Sequence, residues 1–224
     1  MKDTVALGHA ETQICQPDRL CIYGGIPKRV FDLFLLFLIA PFVIPVLAVL
    51  WALIRIDGGS GFYSQKRIGQ NGKTFTILKL RTMVNDSQRV MTEYLASNPE
   101  AAAEWRVRQK LQSDPRVTRI GLFLRKTSLD ELPQFVNVLR GEMSIVGPRP
   151  FMAEQEDDYL RAGGRSYYRL KPGITGLWQV SGRNQTSFGA RVLYDNHYLR
   201  TLSFSGDLRL LARTVPAVLR GTGC

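Results

Sequence analysis

The stretch Leu33-Phe-Leu-Leu-Phe-Leu-Ile-Ala-Pro-Phe-Val-Ile-Pro-Val-Leu-Ala-Val-Leu-Trp-Ala-Leu-Ile54 contains no charged residue. At ~1.5 Å rise per residue, its roughly 22 positions match the ~30 Å hydrocarbon core of a bilayer. Lys28 and Arg29 precede the stretch while Arg55, Lys66 and Arg67 follow it, so the positive-inside bias sends neither flank to the far side. Pro41 and Pro45, near the centre, each remove a backbone donor at ~3 kcal/mol in a helix interior and predict a bend. A helix that enters, turns at the prolines and leaves by the same face accommodates both facts. The prolines equally permit a kinked span, and a buried core helix of a soluble protein is the remaining alternative. A cleaved signal peptide is not expected, given the late start at Leu33, the lack of a small-residue cleavage pattern and the length of the run.

Outward from this segment the chain divides into residues 1–25, read as a mobile arm, 26–56, the apolar helix, and 57–224, one folded domain. The 224 residues carry 30 Lys and Arg against 19 Asp and Glu, a net charge of +11 that favours anionic partners. Cys15, Cys21 and Cys224 lie near the ends and share no metal-ligand spacing with His9 and His197. Reduced thiols and a cytosolic face are therefore expected.

Phe62 to Arg67 and Thr74 to Leu80 read as strands joined through Asn71-Gly72, a hairpin whose cations Arg67, Lys79 and Arg81 are expected to cluster at one end. Edge-strand protection is the alternative use of those cations. Residues 87–110 have helix-forming composition broken at Asn98-Pro99, and 120–126 read as a short helix ending in Arg125-Lys126.

Asp130-Glu131 follow, within Ser128-Leu-Asp-Glu-Leu-Pro-Gln134. Ser128 and Glu131 have capping-box spacing, but Pro133 would then sit too deep in the helix, so a start at Asp130 is favoured. Carboxylates at such an entrance can coordinate Mg²⁺ or attack phosphorus, although capping alone also explains one of them. Ile145-Val146 read as a buried strand end, and the prolines of Gly147-Pro-Arg-Pro150 stiffen the backbone around Arg149 for phosphate recognition. Lys171-Pro-Gly-Ile-Thr-Gly-Leu-Trp178 and Ser181-Gly-Arg-Asn184 are turn-rich, with Trp178 suited to a base or to a membrane interface. From Ser203 to Arg220, Phe204, Leu208, Leu211, Val215, Val218 and Leu219 share one helical face, for lipid or for core. No phosphate loop, dinucleotide fingerprint or zinc finger is present, and aromatic residues do not interleave with the cations as nucleic-acid stacking requires.

From Lys28 to Gly221 the chain resembles the bacterial sugar transferases, the monotopic polyprenyl-phosphate phosphoglycosyl transferases. The motifs are Lys28-Arg-Val-Phe-Asp32, Phe62-Tyr-Ser-Gln-Lys-Arg-Ile-Gly69, Lys79-Leu-Arg-Thr-Met83, Arg125 with Ser128 to Gln134, Met143-Ser-Ile-Val-Gly-Pro-Arg-Pro150, and Lys171 to Trp178 continuing through Asn184. The resemblance implies transfer of a hexose 1-phosphate from a UDP-sugar to undecaprenyl phosphate with release of UMP, as the first membrane step of exopolysaccharide synthesis. Galactose or glucose is expected; an N-acetylated or deoxy sugar, or a non-enzymatic basic membrane scaffold, is the alternative. It further implies that Asp130 is the nucleophile, that Glu131 holds Mg²⁺, and that Arg81, Arg125, Arg149, Arg183 and Asp195 bind substrate. The fold expected from it is α+β: a re-entrant membrane helix, then a mainly helical catalytic domain with a small β-hairpin and interfacial amphipathic helices. Ala40 stands where the family often has Ser before the bend proline. The implied place is the cytoplasmic face of the bacterial inner membrane, among membrane lipids and without nucleic acid; homo-oligomerisation is left open.

Overall fold

The computed structural model describes residues 22–56, 58–108, 111, 113–181 and 186–219. Its first element, α1 (Ile26–Ile56), runs as one helix through both prolines and, if straight, would be about 46 Å long at 1.5 Å per residue. Among the described residues it is the one helix long and apolar enough to cross a membrane. Both of its ends are bound to the folded domain. Near the start, Lys28, Asp32 and Leu36 are buried, and near the end Leu50 and Ile54 are. Between them Pro41, Phe42, Ile44, Pro45, Val46, Ala48 and Val49 are exposed, which at 100° per residue covers about 200° of the helix, while Ile39, Val43 and Leu47 on the remaining side are half-buried. These half-buried residues share one side of the helix with Asp32, Leu36, Leu50 and Ile54, and Leu47 packs beside Leu50 and Ile54. The helix therefore turns one side to the domain and leaves a broad apolar face outward, widest in its middle.

The anchoring at the start is polar and buried. Asp207 accepts from Lys28 Nζ at 2.5 Å, Tyr23 Oη at 2.9 Å and Tyr198 Oη at 2.8 Å. Asp32 accepts from the Ser144 hydroxyl at 2.9 Å and the Ile145 amide at 3.0 Å. Breaking one partner from such a group leaves an unsatisfied buried charge or dipole, so these contacts specify where the helix attaches.

The expected hairpin is present: β1 (Phe62–Ile68) pairs antiparallel with β2 (Thr74–Leu80), and Asn71 and Gly72 take the left-handed conformation in the turn. Its register corrects one expectation. Arg67 opposes Phe75 and Lys79 opposes Tyr63, so the cations are spread along the ribbon and not gathered at one end. The period of two still puts Tyr63, Gln65 and Arg67 on the same face as Phe75, Ile77 and Lys79.

Then come α2 (Ser87–Ser97) and α3 (Pro99–Arg108), separated as expected at Asn98, whose side chain caps α3 through the Ala101 amide. The next helix, α4 (Arg119–Thr127), is capped by Thr118 and ends at Ser128 in the left-handed region. An α-helix does not open at Asp130. Leu129–Gln134 is a 3-10 segment continued by α5 (Phe135–Arg140), because the Ser128 turn breaks the axis and Pro133 has no N–H to give an α-helical bond.

Short parallel strands β3 (Ser144–Val146) and β4 (Gly173–Thr175) cross the main core, where Val138, Met143, Val146, Tyr198 and Leu202 pack. A Cβ on Gly176 would lie 1.9 Å from the Gly147 carbonyl oxygen and one on Gly147 2.4 Å from the Lys171 carbonyl oxygen, which explains glycine in both turn motifs. After α6 (Glu156–Arg161), α7 (Leu177–Ser181) and α8 (Arg191–Thr201), the chain ends in α9 (Phe204–Leu219). The stripe expected on α9 is divided: Asp207 and Leu210 are buried and Leu211 packs on the core, while Phe204, Leu208 and Val215 face outward. The outer set has i, i+4, i+11 spacing and forms an apolar face.

Candidate active site

The acid pair is held by a side chain that spans two elements. Asn137 of α5, fully buried, accepts from the Leu78 amide at 3.1 Å and donates to the Thr76 carbonyl at 2.8 Å. It closes the free edge of β2 and so clamps the Leu129–Gln134 segment against the hairpin. Lys79 reaches from that strand to both carboxylates, 3.5 Å from Asp130 Oδ2 and 2.9 Å from Glu131 Oε1. Arg149 Nη2 donates to the same Glu131 Oε1, at 3.0 Å.

These neighbours separate the two acids electrostatically. Burial raises the Asp130 carboxyl above its ordinary range, Lys79 draws it back, and the Glu131 charge pushes it up again. Burial works against ionised Glu131 too, yet Arg149 and Lys79 outweigh it and hold that carboxyl well below the ordinary range. Adjacent groups with environments pushed apart can take different chemical roles: Glu131 stays an anion, and the Asp130 carboxylate is the more basic of the two.

The pair forms a partition between clefts. A cleft of about 550 Å³ is lined by Glu131, Arg149, Trp178, Phe188 and Arg191, and one of about 680 Å³ by Asp130, Arg81, Arg125, Tyr63 and Arg116. Arg67 and Lys79 line both. A narrower apolar slot of about 180 Å³ starts at Glu131 and Arg149 and runs along Leu129, Leu132, Phe135, Ile174 and Val218.

Arg125 and Arg81 therefore lie on the Asp130 side and Arg149 on the Glu131 side. Arg125 Nε donates to Thr82 Oγ1 at 2.9 Å, and Arg81 Nη2 donates to the Ile54 carbonyl at 3.1 Å, tying the cleft wall to the end of α1. Trp178 borders the Glu131-side cleft and donates to Thr186 Oγ1 at 2.9 Å. Arg183 lies outside the described residues. Asp195 is brought near but not in: it is buried, accepts from Tyr159 Oη at 2.8 Å, and lines none of these clefts. Burial pushes its carboxyl up to about 6 against the pull of Arg191.

The sequence reading noted Arg67 and Lys79 only as strand cations and missed Arg191. The signal for Lys79 was parity with Arg67 across the ribbon; for Arg191 it was the cation placed four residues before Asp195 on one helix face. Among the described residues, no group of three or more His, Cys, Asp or Glu side chains gathers as a metal site. Mg²⁺ is nevertheless commonly held by one or two carboxylates with substrate phosphates and water, a donor set that the adjacent acids fit.

Comparison with known proteins bears on this geometry. Residues 23–221 match the family model described as bacterial sugar transferase. The exopolysaccharide production protein ExoY of Sinorhizobium fredii is 49% identical over 201 residues, covering 89% of this chain and 88% of its own. An undecaprenyl-phosphate galactose phosphotransferase of Salmonella typhimurium is 45% identical over 197 residues, 88% of this chain and 41% of the longer relative. A UDP-glucose:undecaprenyl-phosphate glucose-1-phosphate transferase of Caulobacter vibrioides is 39% identical over 201 residues, 86% of this chain and 69% of its own.

Proposed function

The chain belongs to the bacterial sugar transferase family, and from that premise we propose that it moves a hexose 1-phosphate from a UDP-hexose to undecaprenyl phosphate, initiating a polysaccharide. The observation that carries this reading is the charge-separated acid pair standing between cation-lined clefts. An Asp130 oxygen attacks the β-phosphorus of the donor; the bond from that phosphorus to the bridging oxygen breaks, and UMP departs with the bridging electron pair. The resulting acyl phosphate carries the hexose. A phosphate oxygen of the lipid then attacks the same phosphorus, releases the Asp130 carboxylate and leaves a lipid diphosphohexose.

Arg125 and Arg81 neutralise phosphate oxygens on the Asp130 side, Arg149 does so on the Glu131 side, and Lys79 holds both carboxylates in register between them. Mg²⁺, bound at Glu131, would offset pyrophosphate charge. The slot beginning at Arg149 is apolar enough for the first isoprene units of an acceptor.

Membrane association follows from the exposed apolar middle of α1. With both ends of α1 bound to one domain and its outer face apolar, we place it as a re-entrant helix in the cytoplasmic leaflet of the inner membrane, with a bend at Pro41 and Pro45. That topology keeps the nucleotide sugar, the lipid phosphate and Asp130 on one face.

The test is Mg²⁺-dependent UMP release by the purified protein in lipid, with a panel of UDP-hexoses and undecaprenyl phosphate. Release from UDP-galactose or UDP-glucose is expected, and Asp130→Asn should abolish it while membrane binding persists. Undiminished release from that variant would remove the nucleophile.

A further inference from the structure

The reaction outlined above makes no use of Arg191, the cation most expensively placed in the cleft. It is 4% exposed, and its Nε has no hydrogen-bond partner. Its Nη2 donates to the Arg149 carbonyl. The guanidinium lies 5.0 Å from the Trp178 ring, 4.9 Å from Phe188 and 5.9 Å from Phe151. Among the described residues it makes no ion pair; Asp195, one turn on, acts on it only through the field and spends its own hydrogen bond on Tyr159.

Arg67 repeats the pattern across the cleft. Its Nε is also buried without a partner, and its Nη2 donates to a neutral amide, Gln65 Oε1, at 2.7 Å. The one carboxylate lining this cleft, Glu131, is already engaged by Lys79 and Arg149. A desolvated guanidinium without an anion is costly, and its donors form a rigid fork suited to phosphate oxygens. Arg67, Arg149 and Arg191 thus converge on a 550 Å³ space with an excess of donors and positive charge.

We propose that Arg191 and Arg67 form the subsite for the phosphate of the departing nucleoside monophosphate, the Nε donors of both side chains being completed by its oxygens. This assignment rests on the donor reaction proposed above. It places the leaving group on the Glu131 side of the partition, with the reacting phosphorus toward Asp130. The aromatic rim of Trp178 and Phe188 favours a nucleotide over a lipid phosphate as the occupant, since it provides ring surface beside the anion site.

The test measures binding without turnover, using the full chain in lipid nanodiscs and titrating UMP and, separately, farnesyl phosphate. Arg191→Gln and Arg67→Gln are each expected to weaken UMP roughly tenfold to a hundredfold, the scale of a lost charge-assisted hydrogen bond, with farnesyl phosphate changed less than about twofold. Arg191→Lys, which keeps the charge but not the fork, should fall between. A folded Arg191→Gln with unchanged UMP affinity overturns the subsite, as does selective loss of farnesyl phosphate. Should Arg191→Gln fail to fold, Arg67→Gln, at a partly exposed position, decides by the same criterion. A wild-type protein that binds UMP but transfers no hexose phosphate would instead count against the donor reaction, so the failures are distinguishable.

Discussion

Replacing Lys79 by Met keeps the aliphatic stem and removes the charge that both carboxylates share. Its ammonium is 3.5 Å from Asp130 Oδ2. At an effective dielectric of about 20, a unit charge at that distance is worth roughly 5 kcal/mol. The Lys79 side chain is 20% exposed, and Arg149 still acts on Asp130, so solvent and the remaining cation leave about 1.5–2.5 kcal/mol. At 1.36 kcal/mol per pKa unit this is a rise of about one to two units in Asp130. The sign follows from the proposed role: a carboxylate nucleophile must be ionised, burial already raises the Asp130 carboxyl, and Lys79 is the cation that lowers it most. Activity in the native protein is therefore lost as pH falls through that raised value, and in Lys79→Met the loss begins at higher pH. The assay is kcat/KM for UMP release across pH, whose acid limb reports the free enzyme. Lys79→Arg should restore the limb. An unmoved acid limb in Lys79→Met, with only a uniform fall in rate, would mean that Lys79 serves substrate alone.

Other expectations concern the scaffold and the membrane. Asp207→Ala leaves Lys28 buried without its counter-ion and should cost about 3–5 kcal/mol, read as a lowered midpoint in thermal unfolding; Lys28→Met in the same chain should recover much of it. Recovery failing in the double variant would assign the loss to packing. Cys15, Cys21 and Cys224, on either side of α1 in sequence, should all be shielded from a membrane-impermeant thiol reagent applied outside spheroplasts. Labelling of Cys15 or Cys21 with sparing of Cys224 would make α1 a span.

What could be read from the chain follows the range of the interactions. The hairpin, the break at Asn98-Pro99 and the apolar helix are written in local turn chemistry and periodicity, and each stands where expected. The start of a helix at Asp130 was misplaced because the left-handed turn at Ser128 depends on how α4 packs, which no local pattern reports. The split face of α9 has the same origin: Asp207 is an acid on an apparently lipid-suited helix, and its burial makes sense only once Tyr23 and Lys28, from the other end of the chain, reach it. Asp130 and Glu131 were legible as a pair. Their division between clefts was not, since it depends on Arg149 and on the register that aligns Lys79 with Arg67 on one face.

The central claim is that Asp130 becomes covalently attached to the hexose phosphate. Incubating the protein with UDP-galactose or UDP-glucose in the absence of lipid phosphate, followed by acid quench and mass spectrometry, tests it directly. A hexose phosphate adduct on the peptide containing Asp130, absent from Asp130→Asn and discharged when undecaprenyl phosphate is added before the quench, is the predicted result. Turnover to the lipid product with no adduct at Asp130 under single-turnover conditions, or an adduct on a different residue, would contradict it.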